Sequence, residues 1–413
     1  MMNIWQQAQQ DTLVSQNYVY FDTGAAAPPP KPVIDAVKAY LDKTAEQGIY
    51  LPSFRKATYQ QVEVCRKKMA AFIGAKESEI AFTKNGTESI CLIARGISWQ
   101  AGDEVIIPDT EMLSNISIWQ LLAEEKGIKI VTVQADKQGV ISPASIECAI
   151  TSKTKLISFV ALSNITGVMQ PVQAICEIAQ KYRVLSHVSA SQAIGMYRVN
   201  VQNWQCDFMS FCGRKGLRAI EGSGICFVRE SLIPLLTPML VGWWNSSIDP
   251  KTGTVILPKT AKRFEAGCPN IPAIISLNSA LDYASQLGIE QIEIRNQTLT
   301  QYAMQKLATI PNIEIYGPDN SNQRIGIIPF NIKGISSDLL MQKLEAKNII
   351  IESGHFMATA ILQFYNIEKM ARLSFHYFNT EKEIDLFINA INDITKELKM
   401  TKALLMSSSR MET

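Results

Sequence analysis

Between about residues 60 and 230 the chain alternates two hydrophobic rhythms. QQVEVCRKKMAAFIGA spaces its apolar residues at helical intervals and closes on Gly74. EIAFTKNG reads as a strand running into a turn, and TESICLIARGIS as the helix that follows. DEVIIPD, KIVTVQ, KLISFVALSN, RVLSHVSAS and CDFMSF are short β-rich runs, mostly separated by helical stretches such as SIWQLLAEEKG and VQAICEIAQKY. This alternation predicts an α/β fold, with a mostly parallel central sheet covered by helices on both faces. Ligands of such sheets bind beyond the C-terminal strand ends.

After about residue 275 the rhythm changes. SLNSALDYASQLG, QIEIRNQTLTQYAMQKLATI and EKEIDLFINAINDITKEL predict helices, and GIIPFNI, NIIIESG and ARLSFHYF predict strands. This is the pattern of a smaller α+β C-terminal domain. The expected division is a large α/β domain over 21–270 and a small domain over 271–398. Residues 1–20 are expected to pack with the small domain, and 399–413 to form a frayed tail.

Composition narrows the class. The 413 residues are 47% hydrophobic and 19% charged, in the range of an ordinary globular protein. A formal charge of +2 provides no field for nucleic acid, so small molecules or a second copy of the chain are the expected partners. No apolar run reaches the roughly 18–20 residues needed to span a bilayer, and MMNIWQQAQQDTL has none of the regions of a signal peptide. Eight cysteines without a CxxC pair predict reduced thiols and a cytoplasmic location. The three histidines have no metal-site spacing, so no metal is expected.

The candidate chemistry lies at the predicted strand ends. The run Asp207–Phe211 stops at Gly213, and Lys215 follows beside Arg214. A lysine held there, with its pKa lowered, can form a Schiff base with an aldehyde cofactor; otherwise it is a surface lysine. KNGTES offers the Gly86 and Thr87 amides at a helix start, either a phosphate cradle or an ordinary turn. SNITG, with Asn164, and VSASQ end two further strands. Arg372 suits a carboxylate clamp or a surface salt bridge. Cradle, lysine and clamp together suit pyridoxal 5'-phosphate (PLP) and an amino-acid substrate.

YFDTGAAAPPP, FTKNGTES, TEMLSNISIWQ, ALSNITGVMQPV, VSASQAIG, CDFMSFCGRKGLRAIEGSGICFV, RFEAGCPNIPAI and RLSFHYFNTEKEID follow one another along nearly the whole chain. In that order they resemble the class V aminotransferase family of PLP fold type I, which includes cysteine desulfurases, isopenicillin-N-epimerase-like proteins and C–S lyases. The resemblance implies that residues 21–270 bind the cofactor and that Lys215 forms the Schiff base. It implies that Gly86 and Thr87 hold the phosphate and that Gln192 meets the phenolic oxygen. It also places Asn164 beside the substrate, Arg372 on its α-carboxylate, and two copies in a homodimer.

Several positions depart from the family pattern. Ser189 stands where relatives place the aspartate partner of the pyridine nitrogen, and Met112 where an aromatic or histidine ring covers the cofactor. Cys212 and Cys268 replace phosphate-binding hydroxyls, and Arg214 is a candidate to replace some of that anchoring. Met357 in ESGHFMATA falls where a desulfurase carries its nucleophilic cysteine, and Glu352 where relatives carry an arginine. His355 is either an acid–base group near the mouth or a structural histidine.

These departures lead to the expectation of a Cβ–X lyase, a C–S lyase that is not a cysteine desulfurase, since a neutral pyridine suits β-elimination. The alternatives are an aminotransferase, epimerase or cyclase of specialised metabolism, and a PLP-free derivative that uses the cleft otherwise. Trp243 and Trp244 line either a substrate pocket or a dimer seam.

Overall fold

The computed structural model describes residues 3–409. Seven strands form the main sheet: β1 (Ile80–Thr83), β2 (Glu104–Pro108), β3 (Lys129–Val133), β4 (Thr154–Val160), β5 (Leu185–Ser189), β6 (Phe208–Cys212) and β7 (Gly224–Val228). They lie in the order β1-β7-β6-β5-β4-β2-β3, and only β7 runs against its neighbours. The six other strands match the predicted β-rich runs. β7 was not among them, because GICFV is a short apolar return with no helix before it.

Alternate strand residues feed two cores on opposite faces of the sheet. Ile106, Ile157, Phe159, Val188, Met209 and Phe211 pack into one, and Val105, Ile107, Leu156 and Phe208 into the other. The first core is closed by α1 (Lys31–Gln47), α2 (Pro52–Ile73), α5 (Val172–Lys181) and α6 (Ile271–Leu287), the second by α3 (Gly86–Gly96) and α4 (Ser117–Lys126). Strands buried on both faces read as continuous apolar runs, as this sequence does. Although α6 follows the boundary expected at 270, its Ile271, Ile274 and Leu277 belong to the first core of the large sheet.

The smaller sheet is antiparallel, with β8 (Ile313–Ile315), β9 (Ile327–Ile332), β10 (Glu352–Gly354) and β11 (Met370–Ser374) in the order β8-β9-β11-β10. Its core includes Leu299 and Ala303 of α7 (Ile289–Leu307), Leu340 of α8 (Ser337–Glu345) and Phe387 of α9 (Glu381–Ser409). Phe21 enters the same core, and Val19 and Tyr20 pair in parallel with Ile349 and Ile350. Helix α9 continues through 399–409, a stretch expected to fray, and residues 410–413 lie outside the described residues. No described helix is long and apolar enough to cross a membrane.

One buried ion pair braces the wall beside the site. Arg66 of α2 donates to Ile80 O at 2.7 Å and to Glu265 Oε2 at 3.1 Å, while Glu265 accepts from the Phe82 amide at 2.8 Å. Both side chains are almost fully buried. Replacing one partner strands a charge in a dry environment. We expect Arg66→Ala to cost about 3–5 kcal/mol of stability, read as a lowered urea midpoint, with Arg66→Ala/Glu265→Gln recovering part of the loss.

Candidate active site

The parallel strands end together on one edge of the main sheet. Across it, Thr83 pairs with Gly224, Gly224 with Cys212, Ser210 with Ser189, and Ser189 with Val160. The loops that follow carry Gly86, Asn164, Gln192 and Lys215 to this edge.

Lys215 is 8% exposed, and its amine has no hydrogen-bond partner among the described residues. Burial lowers its pKa from the ordinary 10.5 to about 8; nearby Arg372 and Arg214 push the same way, while Cys212 and Glu352 oppose. Two glycines hold the backbone beside it. A Cβ on Gly195, at φ 81°, would lie 2.4 Å from the Gly216 carbonyl carbon, and one on Gly216 would lie 2.3 Å from Ile194 O. Only glycines let these two loops touch, and His376 Nε2 at 2.9 Å from Gly216 O secures the contact.

The helix start is arranged for an anion. Asn85 caps α3 by accepting from the Glu88 amide at 2.8 Å, which leaves the Gly86 and Thr87 amides without a described partner. Ser191 accepts from the Cys212 amide at 3.2 Å, and its Oγ would lie 2.8 Å from a Cβ on Gly86. The motif VSASQ contains Ser191, but only this approach to Gly86 reveals its place. Ser189 is buried, with its hydroxyl unpaired among the described residues, and Gln192 donates to Gly24 O at 2.8 Å. A buried free amine, two free helix-start amides and an unpaired hydroxyl on one strand edge fit an aldehyde-bearing phosphate ester.

Arg372 of β11 is 2% exposed and is engaged through both of its terminal nitrogens. It donates to Asn164 O at 3.0 Å, to Asp22 at 2.9 Å and to Glu352, its cross-strand neighbour, while the Phe356 ring lies 4.4 Å from its Cζ. Asp22 is pushed up to about 6, by burial first; Arg372 pulls it down and Glu352 pushes it up. The sequence motif YFDTG held Asp22, but nothing local marked it as a partner of a residue 350 positions away.

The remaining candidates are dispersed. Arg214 binds back to Ala25 O, and Cys212 is buried at the end of β6. Met112 is half-buried and begins a turn over which the fully buried Glu111 accepts from Asn115 Nδ2 at 2.6 Å and from the Val160 amide at 2.7 Å. Burial raises Glu111 to about 7. Cys268 is exposed, in a groove with Thr83, Lys84, Glu88 and Trp244. His355 is exposed as well and accepts from the Met357 amide at 3.1 Å. Neither His355 nor Cys268 hydrogen-bonds Lys215 among the described residues.

The family profile described as aminotransferase class-V matches residues 19–387. The chain belongs to the class V aminotransferase family. It is a PLP-dependent enzyme of fold type I. A probable cysteine desulfurase of Pyrococcus abyssi is 30% identical over 97% of this chain and 100% of its own length. A cysteine desulfurase of Serratia proteamaculans is 33% identical over 93% of this chain and 95% of its own. The apo structure of a cysteine desulfurase from Thermococcus onnurineus superposes with a TM-score of 0.91, at 29% identity, covering 96% of this chain and 99% of that one.

These relatives overturn the expectation of a Cβ–X lyase that is not a cysteine desulfurase, and with it the reading of a PLP-free derivative. That expectation rested on single positions, Ser189 in favour of a lyase and Met357 against a desulfurase. Met357 is 53% exposed, in a turn where it and Phe356 have φ of 57° and 50°. The likeness to a cysteine desulfurase extends over 97% of the chain, which one surface residue does not alter.

The lowered pKa of Lys215 has two measurable consequences. Uptake of added PLP by cofactor-stripped protein should speed up with pH and level off above about 8, where an ordinary lysine would keep climbing past 10. The unfolded chain binds more protons between about 8 and 10.5, so this group makes the apo-protein more stable as pH rises through that window. Lys215→Met should remove that increment in pH-dependent denaturation.

Proposed function

We propose that the chain is a cysteine desulfurase-type enzyme, which takes the sulfur from a small thiol-bearing amino acid and leaves the corresponding alanine. The observation that carries this reading is Lys215, a buried, partnerless amine at the strand edge, in a chain whose relatives at 30–33% identity bear that name. When bound, PLP supplies an aldehyde for an amine and a ring that withdraws electrons from the amino acid's α-carbon.

The chain's own residues do the rest. Lys215 would hold the cofactor aldehyde, and the substrate's amino group would displace it there. Released as a neutral amine, a form available in quantity near pH 8, Lys215 would take the proton from the substrate's α-carbon. The Gly86 and Thr87 amides and the positive end of α3 hold the phosphate. Ser189 would offer the pyridine nitrogen a hydrogen bond without a charge, and Gln192 would meet the phenolic oxygen. Asn164 and Arg372 receive the substrate.

A homodimer and a cytoplasmic location belong to the same reading. Leu240, Trp243, Ile248 and Val255 are 53%, 69%, 61% and 53% exposed, an apolar surface suited to a second copy. The eight cysteines are all unpaired, as thiols in a reducing compartment are.

The test is sulfur release by the purified holoenzyme from L-cysteine. Residues 352–360 contain no cysteine, so an external dithiol is supplied in excess, one thiol accepting the sulfur as a persulfide and the second reducing it to sulfide as the dithiol closes to a disulfide. Sulfide and alanine should form in equal amounts, and Lys215→Ala should lower the rate by about 10²–10⁴-fold. Pyruvate and ammonia in place of alanine, or amino transfer to a 2-oxo acid, would refute the reading.

A further inference from the structure

We propose that Glu352 occupies the place of the substrate's carboxylate on Arg372 and must swing away before a free amino acid docks, so that it sets how strongly the site holds an α-carboxylate. This rests on the reading of Arg372 as the substrate clamp.

The geometry leaves Arg372 no spare pair of N–H groups. Nη1 donates to Asn164 O, Nη2 is shared by Asp22 and Glu352, and Nε is buried without a partner. A carboxylate bound in the two-pronged way needs two adjacent donors. One guanidinium already faces two carboxylates, and a third brings more repulsion than attraction unless one leaves.

Glu352 is the one able to leave. The Asp22 side chain is 17% exposed, and its backbone is fixed by the Ala25 and Ala26 amides and by its bridge to Ser374. The Glu352 side chain is 39% exposed, on β10, an edge strand that pairs only with β11 and ends at Gly354. Rotation about its side-chain bonds takes the carboxylate into water without moving the sheet. Phe356 stays against the guanidinium and keeps it in place. While Glu352 is on Arg372 the site is closed to carboxylates, and apparent affinity falls by the fraction of time it is open.

A non-reacting amino acid separates this from catalysis. L-Alanine is titrated into PLP-loaded protein, with ethylamine as the equivalent lacking a carboxylate, and binding is read from the visible spectrum of the cofactor. Glu352→Gln should bind L-alanine about tenfold more tightly than the parent, with ethylamine unchanged and the gain lost in Glu352→Gln/Arg372→Gln. Unchanged or weaker L-alanine binding in Glu352→Gln overturns the proposal and makes Glu352 a support for Arg372. Equal tightening for ethylamine overturns it too, because the effect then lies away from the clamp. Failure of the desulfurase reading shows separately, as absence of sulfide from L-cysteine while the L-alanine gain remains.

Discussion

The site depends on one buried cation. Arg372 lies at 2% exposure, and a guanidinium taken that far out of water needs opposite charge and hydrogen bonds on every side. It obtains them from three distant pieces of chain: Asp22 near the start, Asn164 after β4, and the segment that carries Glu352 and the Phe356 ring. The small sheet, the large sheet and the N-terminal segment are therefore fastened at one point. In the proposed function that point is also the clamp for the substrate's carboxylate.

The rest of the site follows from sheet geometry. Five parallel strands and β1 bring their ends to one edge, and the first turn of α3 places unpaired amides there. Gly195 and Gly216 let two loops meet backbone to backbone beside Lys215, which keeps its amine away from water. The dryness that lowers its pKa is therefore a packing effect, with the neighbouring arginines adding to it.

The exchanges around the cofactor change its surroundings without undoing this frame. Ser189 offers a hydroxyl where a charge is expected, yet it keeps its place in the register between Val160 and Ser210. Met357 lies in an exposed turn, and its carbonyl accepts from the Leu113 amide at 2.7 Å. A reading built on such positions alone gave too much weight to the periphery.

Local pattern alone determined the α/β class, six of the seven main strands, and the position of Lys215 just beyond a strand end. Periodicity and turn residues act over a few positions, so they are legible in order along the chain. The same locality made KNGTES recognisable as a helix start and Arg372 as a candidate clamp. Only the tertiary structure decided what each residue meets. Asp22 and Arg372 stand 350 positions apart, Gly86 faces Ser191, α6 packs on the large sheet, and Cys268 and His355 lie at the surface. Burial, charge pairing and backbone contact depend on distance in space, which the order of residues does not carry.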